Sequence, residues 1–224
     1  MESEPGRAGP SETLGGISDT TAVLLAGGKS RRMGRDKRFI ELEGKTLLER
    51  ALGTLEAVFP EVLIAVAEPS PDLAGLGHRV VTDVIPGRAT LGGLLTGITL
   101  ATSSRVFAVA CDMPLLNPEV IRAMATVDRQ ADVVMAQLEG GLQPMHAFYR
   151  KTCLGHLERM ARGGHLKVQD ICQVPDLAVR LVGEAELRKV DPQLLSFLNV
   201  NTPADLEFVR KLLCAQHASP RHTT

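Results

Sequence analysis

Leu25-Ala-Gly-Gly-Lys-Ser-Arg-Arg-Met-Gly-Arg-Asp-Lys37 is the stretch on which the reading of this chain turns. It overlaps the apolar run Thr21-Ala-Val-Leu-Leu-Ala26, whose unbroken hydrophobicity predicts a buried strand of a parallel sheet. The adjacent glycines Gly27 and Gly28 then let the backbone turn sharply and come close to a ligand. Lys29, Arg31, Arg32, Arg35 and Lys37 crowd the segment that follows. Strand, glycine turn and clustered cations together describe a cradle for a polyphosphate, because free backbone N–H groups and fixed positive charge both favour bound anions. The expectation is a nucleotide site near the front of the chain.

Two common phosphate loops do not fit. Gly28-Lys29-Ser30 looks like the end of a Walker A loop, but the glycine required five positions earlier is Val23. A dinucleotide G-x-G-x-x-G is also missing, since Gly27 and Gly28 are adjacent and the next glycine is Gly34. What remains is the longer pattern LAGGxSxRMGxDK, the signature of nucleotidyltransferases that take a nucleoside triphosphate and a second, phosphate-bearing substrate. The segment resembles that of bacterial molybdenum cofactor guanylyltransferases.

Composition sets the frame. The 224 residues suffice for one domain with a proper core. Apolar residues make up 44% and aromatics only 3%, so Leu, Val, Ile and Ala must build that core, as suits a sheet covered by helices. A net charge of −1 argues against nucleic-acid binding by bulk electrostatics. No apolar run has the length of a membrane span, and the N-terminus has no apolar signal core. Cys111, Cys153, Cys172 and Cys214 show no C-x-x-C spacing and read as free, mostly structural thiols of a cytoplasmic enzyme.

Along the chain, residues 1–20 are rich in Gly, Ser, Pro and Glu and read as a disordered leader; residues 214–224 read as a flexible tail. Between them, residues 21–213 form one domain of alternating elements. Thr46 can cap a helix with the stripe Leu47, Leu48, Ala51, Leu52, Leu55 and Val58. Strands are expected at 62–67, at 80–81 ending near Asp83, at 106–110 ending in Cys111-Asp112-Met113-Pro114, and at 132–136. Helices are expected over about 92–101 and after Asn117, with Pro118 in the first turn. This alternation predicts an α/β fold, an open and mostly parallel sheet with helices on both faces. Ligands of such sheets sit beyond the carboxyl ends of the strands, where Gly27, Gly28, Asp83 and Asp112 would converge.

Nucleotidyl transfer gathers negative charge on the α-phosphate and the leaving pyrophosphate, so the catalyst must supply positive charge and alignment. An attacking phosphate monoester is already ionised at pH 7 and needs no general base, and no Ser-His-Asp or Cys-His arrangement is apparent in the sequence. Mg²⁺ is the natural ion, held by one or two carboxylates and the substrate phosphates. Asp112 closes an apolar strand beside Pro114, on rigid backbone at the sheet edge, and is the candidate metal ligand.

The resemblance covers the body from about Thr21 to Leu213. It implies a Rossmann-like three-layer αβα fold of the nucleotide-diphospho-sugar transferase type. Cys111-Asp112-Met113-Pro114 is similar to the family's C-D-x-P segment, whose aspartate binds Mg²⁺ and nucleotide. Lys37 matches the lysine that contacts the triphosphate, Arg32 the arginine before Met-Gly, and Asp83 an aspartate near the sugar and base. Leu25, Ala26, Gly27 and Gly28 would cradle the nucleotide through backbone groups. Pro86-Gly-Arg-Ala-Thr-Leu-Gly-Gly-Leu94 resembles the G-P-L-x-G loop, with Ala89 and Thr90 where Gly-Pro is usual and Leu91 and Gly93 in place as substrate contacts. Phe197-Leu-Asn-Val-Asn-Thr-Pro-Ala-Asp-Leu206 resembles the closing N-V-N-T-P-E-D-L motif. Thr202, Pro203 and Asp205 make an ordinary helix start, whereas Asn199 and Asn201 are free to contact the pterin or to complete the metal site. Gln143-Pro-Met-His146 is similar to a segment placed ahead of a strand, and His146 is given no role. Arg162-Gly-Gly-His165 is expected to shape a substrate loop.

The activity implied is transfer of GMP from GTP to the terminal phosphate of molybdenum-molybdopterin, with release of pyrophosphate. Arg32, Lys37 and Asp112 would be the catalytic set. The partners implied are GTP, the molybdopterin substrate, and transient contacts with molybdopterin-handling proteins and apo-molybdoenzymes, with neither nucleic acid nor membrane. The rival readings are a cytidylyltransferase for the same cofactor, a sugar- or alcohol-phosphate nucleotidyltransferase, and a non-catalytic molybdopterin carrier. Relatives of the cytidylyl type tend to read LAAG where this chain has Leu25-Ala-Gly-Gly28, which favours guanine.

Overall fold

The structure, a computed structural model, describes residues 17–27 and 36–218. Gly28 and Arg32, with Lys29, Arg31 and Arg35, lie outside the described residues, as do most of the expected leader and the last six residues.

Strand β1 (Thr20–Leu25) is buried along its whole length. Its alternate side chains enter two different cores, which is why the apolar run has no polar face. Ala22 and Leu24 pack with Leu48, Leu52, Val120 and Ile121, whereas Val23 and Leu25 pack with Leu94, Ile98 and Leu157. A hairpin of β2 (Glu41–Leu42) and β3 (Lys45–Thr46) leads into α1 (Leu47–Glu56), where Thr46 and Glu49 form a reciprocal capping box. Then come β4 (Glu61–Val66), β5 (Arg79–Thr82), α2 (Ala89–Leu100), β6 (Arg105–Ala110) and α3 (Pro118–Val127). The chain continues through β7 (Val133–Leu138), β8 (Gly141–Arg150), α4 (Leu154–Gly163), β9 (Val179–Gly183), the single turn α5 (Glu184–Leu187) and α6 (Pro203–Ala218).

Seven strands form one sheet in the order β5-β4-β1-β6-β8-β7-β9. Only β8 runs antiparallel to its neighbours, so the sheet is mostly parallel as expected. The order reverses between β1 and β6, which places the ligand crevice at their carboxyl ends. A third apolar cluster joins Ile40, Leu42 and Leu47 to Val200, Leu206 and Val209. It welds the segment just after Lys37 to the start of α6.

Several expected boundaries move. Ile17 is buried and donates its backbone N–H to Val58 (2.9 Å), and Thr20 already belongs to β1, so packed chain begins ahead of the expected start at residue 21. Helix α6 runs to Ala218, past the boundary expected at Leu213. Gln143 to His146 lies within β8 and not ahead of it. Helix α2 starts at Ala89, three residues earlier than expected, and Gly93 and Gly97 let it lie directly on β1. A methyl at Gly97 would collide with Val23 Cγ1 and stand 2.8 Å from its Cγ2. Val23 is stiff and fully buried, so Gly97→Ala is expected to destabilise the fold by about 1–3 kcal/mol, the usual cost of overpacking. Urea unfolding checks this; an unchanged midpoint would show that α2 can ride off β1 freely.

Candidate nucleotide and metal site

A cleft of about 470 Å³ opens at the carboxyl ends of the central strands. Leu25, Gly27, Lys37, Asp83, Gly93, Asp112 and Asn201 all line it, so residues far apart in sequence meet there as the loop positions predict. Backbone bonds fix the rim. Ala26 N–H donates to Ala65 O (2.9 Å), Cys111 N–H to Leu25 O (3.1 Å), and Asp83 N–H to Val66 O (3.0 Å). At Gly27 the two strands also run close, since a Cβ there would come within 3.3 Å of Ala67 N.

Asp112 and Lys37 form the charged centre. Lys37 Nζ lies 3.6 Å from Asp112 Oδ2 and donates a 2.7 Å hydrogen bond to Asn201 Oδ1. The side chains of Lys37 and Asp112 are 17% and 22% exposed, so water screens this pair only in part. Burial pushes the Asp112 carboxyl above its ordinary pKa, and the neighbouring ammonium opposes that shift. Both ends of the contact are held. Asp36 caps the short turn Lys37–Phe39 and grips Arg38 in a two-pronged ion pair (3.0 and 2.5 Å). Asp205 Oδ2 accepts the backbone N–H groups of Asn201 (2.8 Å) and Thr202 (2.7 Å), while Val200 N–H donates to Asp112 O (2.8 Å). The closing motif thus starts a helix and also clamps the charged pair.

Asp83 is of another kind. It is 8% exposed, and its Oδ1 has no hydrogen-bond partner among the described residues. Burial pushes its carboxyl up to about 6. Its Oδ2 would lie 2.9 Å from a Cβ at Gly92, so only glycine lets α2 begin this close to it. Val84 N–H donating to Thr96 Oγ1 (2.9 Å) fastens the following loop to the helix. A buried acceptor left unpaired costs free energy, so its place in the cleft calls for an explanation.

The other expected contacts divide. Gly93 lines the cleft, whereas Leu91 is fully buried in the core with Leu94 and Leu95 and does not line it. Asn199 is exposed, bonds locally to Phe197 O (3.4 Å) and lies off the cleft wall. His146 is fully buried between Phe107 and Phe197, and burial holds it down to about 3, so it stays neutral. Sequence reasoning missed Asp36, Arg38 and Met145 in the lining, and Ala89 and Thr90 as lining residues. Ala89 has φ +47°, keeping a left-handed backbone at a position where the resembling loops carry glycine. Ala89→Gly is expected to stabilise the fold by about 0.5–1 kcal/mol, relief of left-handed strain less the extra freedom of the unfolded chain. Thermal unfolding reads this directly; a loss of stability would mean that the methyl packs usefully.

Among the described residues no three His, Cys, Asp or Glu side chains gather into a metal cage. Asp112 and the Asn201 amide oxygen are hard oxygen donors at one spot, a set suited to Mg²⁺ that takes its remaining ligands from phosphates and water.

The family model for the MobA-like NTP transferase domain matches residues 22–175. The chain belongs to the MobA-like NTP transferase family. This MobA-like chain is 38% identical over 186 residues to the probable molybdenum cofactor guanylyltransferase of Pelotomaculum thermopropionicum, covering 83% of this chain and 89% of that one. It is 35% identical over 189 residues to the molybdenum cofactor guanylyltransferase of Desulfosudis oleivorans, covering 84% and 92%. The crystal structure of molybdopterin-guanine dinucleotide biosynthesis protein A from Archaeoglobus fulgidus superposes with a TM-score of 0.76 at 24% identity, over 88% and 99% of the two chains. The fold is therefore that of the nucleotidyltransferases, and this MobA-like transferase is an enzyme of that class. Among the described residues no helix is long and apolar enough to cross a membrane.

Proposed function

We propose that this transferase moves GMP from GTP to the terminal phosphate of molybdenum-bearing molybdopterin. An oxygen of that phosphate forms a bond to the α-phosphorus, the bond from the α-phosphorus to its bridging oxygen breaks, and pyrophosphate carries away the electron pair. The attacking oxygen is already anionic, so the chain needs no general base. What it needs is positive charge and alignment. The observation that carries the reading is the meeting of Lys37, Asp112 and Asn201 at a cleft that also holds the unpaired Asp83 carboxylate.

Lys37 neutralises the phosphates. Leu25 and Gly27 line the cleft beside the phosphates, with Gly28 and Arg32 outside the described residues, whereas Ala26 spends its N–H on Ala65 O, packs into the core and does not line the cleft. Asp83 accepts from the base: guanine offers N1–H and the 2-amino group side by side, and a carboxylate can take both. Cytosine offers one amino group followed by the N3 and O2 acceptors, which a carboxylate repels. Asp112 with Asn201 would hold Mg²⁺, which supplies charge neutralisation at the phosphates when bound. The relatives' shared name supports GTP and molybdopterin as the two substrates.

Calorimetric titration with GTP and CTP, with and without Mg²⁺, tests this on the wild type and on Asp112→Ala. The expected result is a preference for GTP and a Mg²⁺ response lost in the variant. Preference for CTP would move the substrate to the cytidylyl branch, and binding of neither would favour a carrier.

A further inference from the structure

Lys37 and a divalent cation have claims on the same oxygens. The Lys37 ammonium donates to Asn201 Oδ1 at 2.7 Å and stands 3.6 Å from Asp112 Oδ2. Those are the two hard oxygen donors that the proposed function assigns to Mg²⁺. An ammonium seated between a carboxylate and an amide oxygen satisfies both, and its charge repels a second cation arriving there. Nor is this placement a loose surface contact. The turn that carries Lys37 is fixed by the Asp36–Arg38 fork on one side, and Asn201 is fixed by Asp205 on the other. The apolar cluster of Ile40, Leu42 and Leu47 with Val200 and Leu206 holds the two segments together.

We infer that Lys37 is a tethered counter-ion of Asp112 that keeps the metal position closed until a triphosphate draws the ammonium away. The triphosphate offers Lys37 more negative charge than Asp112 and Asn201 can, so the ammonium moves onto phosphate oxygens. Asp112 and Asn201 are then free for the cation that arrives with the nucleotide. Metal and nucleotide consequently enter together, and the protein without nucleotide has little affinity for metal alone. This rests on the reading of Asp112 as the metal-binding carboxylate. It adds that the same lysine serves two partners in turn.

The test uses Mn²⁺ as a spectroscopic probe, titrated by electron paramagnetic resonance in the presence and absence of GTP. Lys37→Met keeps the length of the side chain and removes its charge, and Lys37→Gln serves where the Met variant fails to fold. Without nucleotide, Lys37→Met is expected to bind Mn²⁺ at least tenfold more tightly than the wild type. The gain should vanish in the double variant Lys37→Met/Asp112→Asn. With GTP present the advantage of Lys37→Met should disappear, because the wild-type ammonium then sits on phosphate. Metal-alone affinity that is equal in wild type and Lys37→Met, or a gain that survives loss of Asp112, would overturn the inference. Neither result would touch the preference for GTP over CTP, so the two readings fail separately. Absence of Mn²⁺ binding with and without GTP would remove the metal assignment and this inference with it.

Discussion

Asp83→Asn is expected to lower GTP affinity by about 10²–10³ and to raise affinity for xanthosine triphosphate. The wild-type carboxylate is buried, lines the cleft and has an unpaired oxygen, which the proposed function assigns to the donors of the base. Asparagine replaces one acceptor oxygen with an amino group, which would face the 2-amino group of guanine, donor against donor. Losing a charged acceptor and leaving a buried donor unpaired accounts for about 3–4 kcal/mol, which is the stated fold-change. Xanthine carries a carbonyl at that position and restores the match. Calorimetry with the two triphosphates decides; an unchanged GTP affinity would place Asp83 away from the base.

The same residue makes a pH prediction. The carboxylate must be ionised to accept, and burial sets its pKa at about 6, so wild-type GTP affinity should rise as pH rises through 6. Stability runs the other way. A carboxyl whose folded pKa lies above its unfolded value contributes stability at low pH that is lost as pH rises through the folded value. Without ligand, Asp83→Asn should therefore match the wild type near pH 4 and exceed it by about 1–3 kcal/mol above pH 6. A stabilising substitution that weakens GTP binding is what a site kept for a ligand would show.

The sheet core was legible because its strands are apolar throughout, which only double-sided burial explains. β1, β4 and β6 appear within a residue of their expected places. β8 was not legible as a full strand. It contains Gln143, Pro144 and His146, and only its second half is buried. The pairing with β7 shifts register between Met135 and Ala136, and residues 144–146 fall in that irregularity, where Pro144 need not donate to β7. β9 is an edge strand, partly exposed along most of its length, and gives a weak pattern for that reason. At the site, single residues at strand ends could be read from position alone. The Lys37–Asn201 contact could not, because it spans 164 positions and depends on the third apolar cluster. Leu91 misled because it stands inside a loop-like motif, whereas α2 already turns it into the core. The exchange of Gly-Pro for Ala89-Thr90 was visible as letters, but only the φ of +47° shows that the backbone keeps the glycine conformation.

Lys37→Ala is expected to reduce turnover by about 10²–10³, the cost of removing one donor of positive charge to a transition state that gathers negative charge. Most of the loss should fall on kcat. GTP keeps its base contact at Asp83 and its backbone cradle, whereas the charge developing on the α-phosphate and pyrophosphate loses a partner. A second consequence follows from the pair. The ammonium now opposes the upward push of burial on Asp112. Without it the Asp112 carboxyl of the nucleotide-free enzyme rises further, so the acidic limb of kcat/KM should move to higher pH. Steady-state kinetics with pyrophosphate detection, run across pH, reads both effects. Near-normal kcat would remove Lys37 from the mechanism, and a KM effect alone would make it a binding group that treats ground state and transition state alike. A reduced kcat together with a displaced acidic limb of kcat/KM is the outcome that ties the lysine to both the phosphates and Asp112.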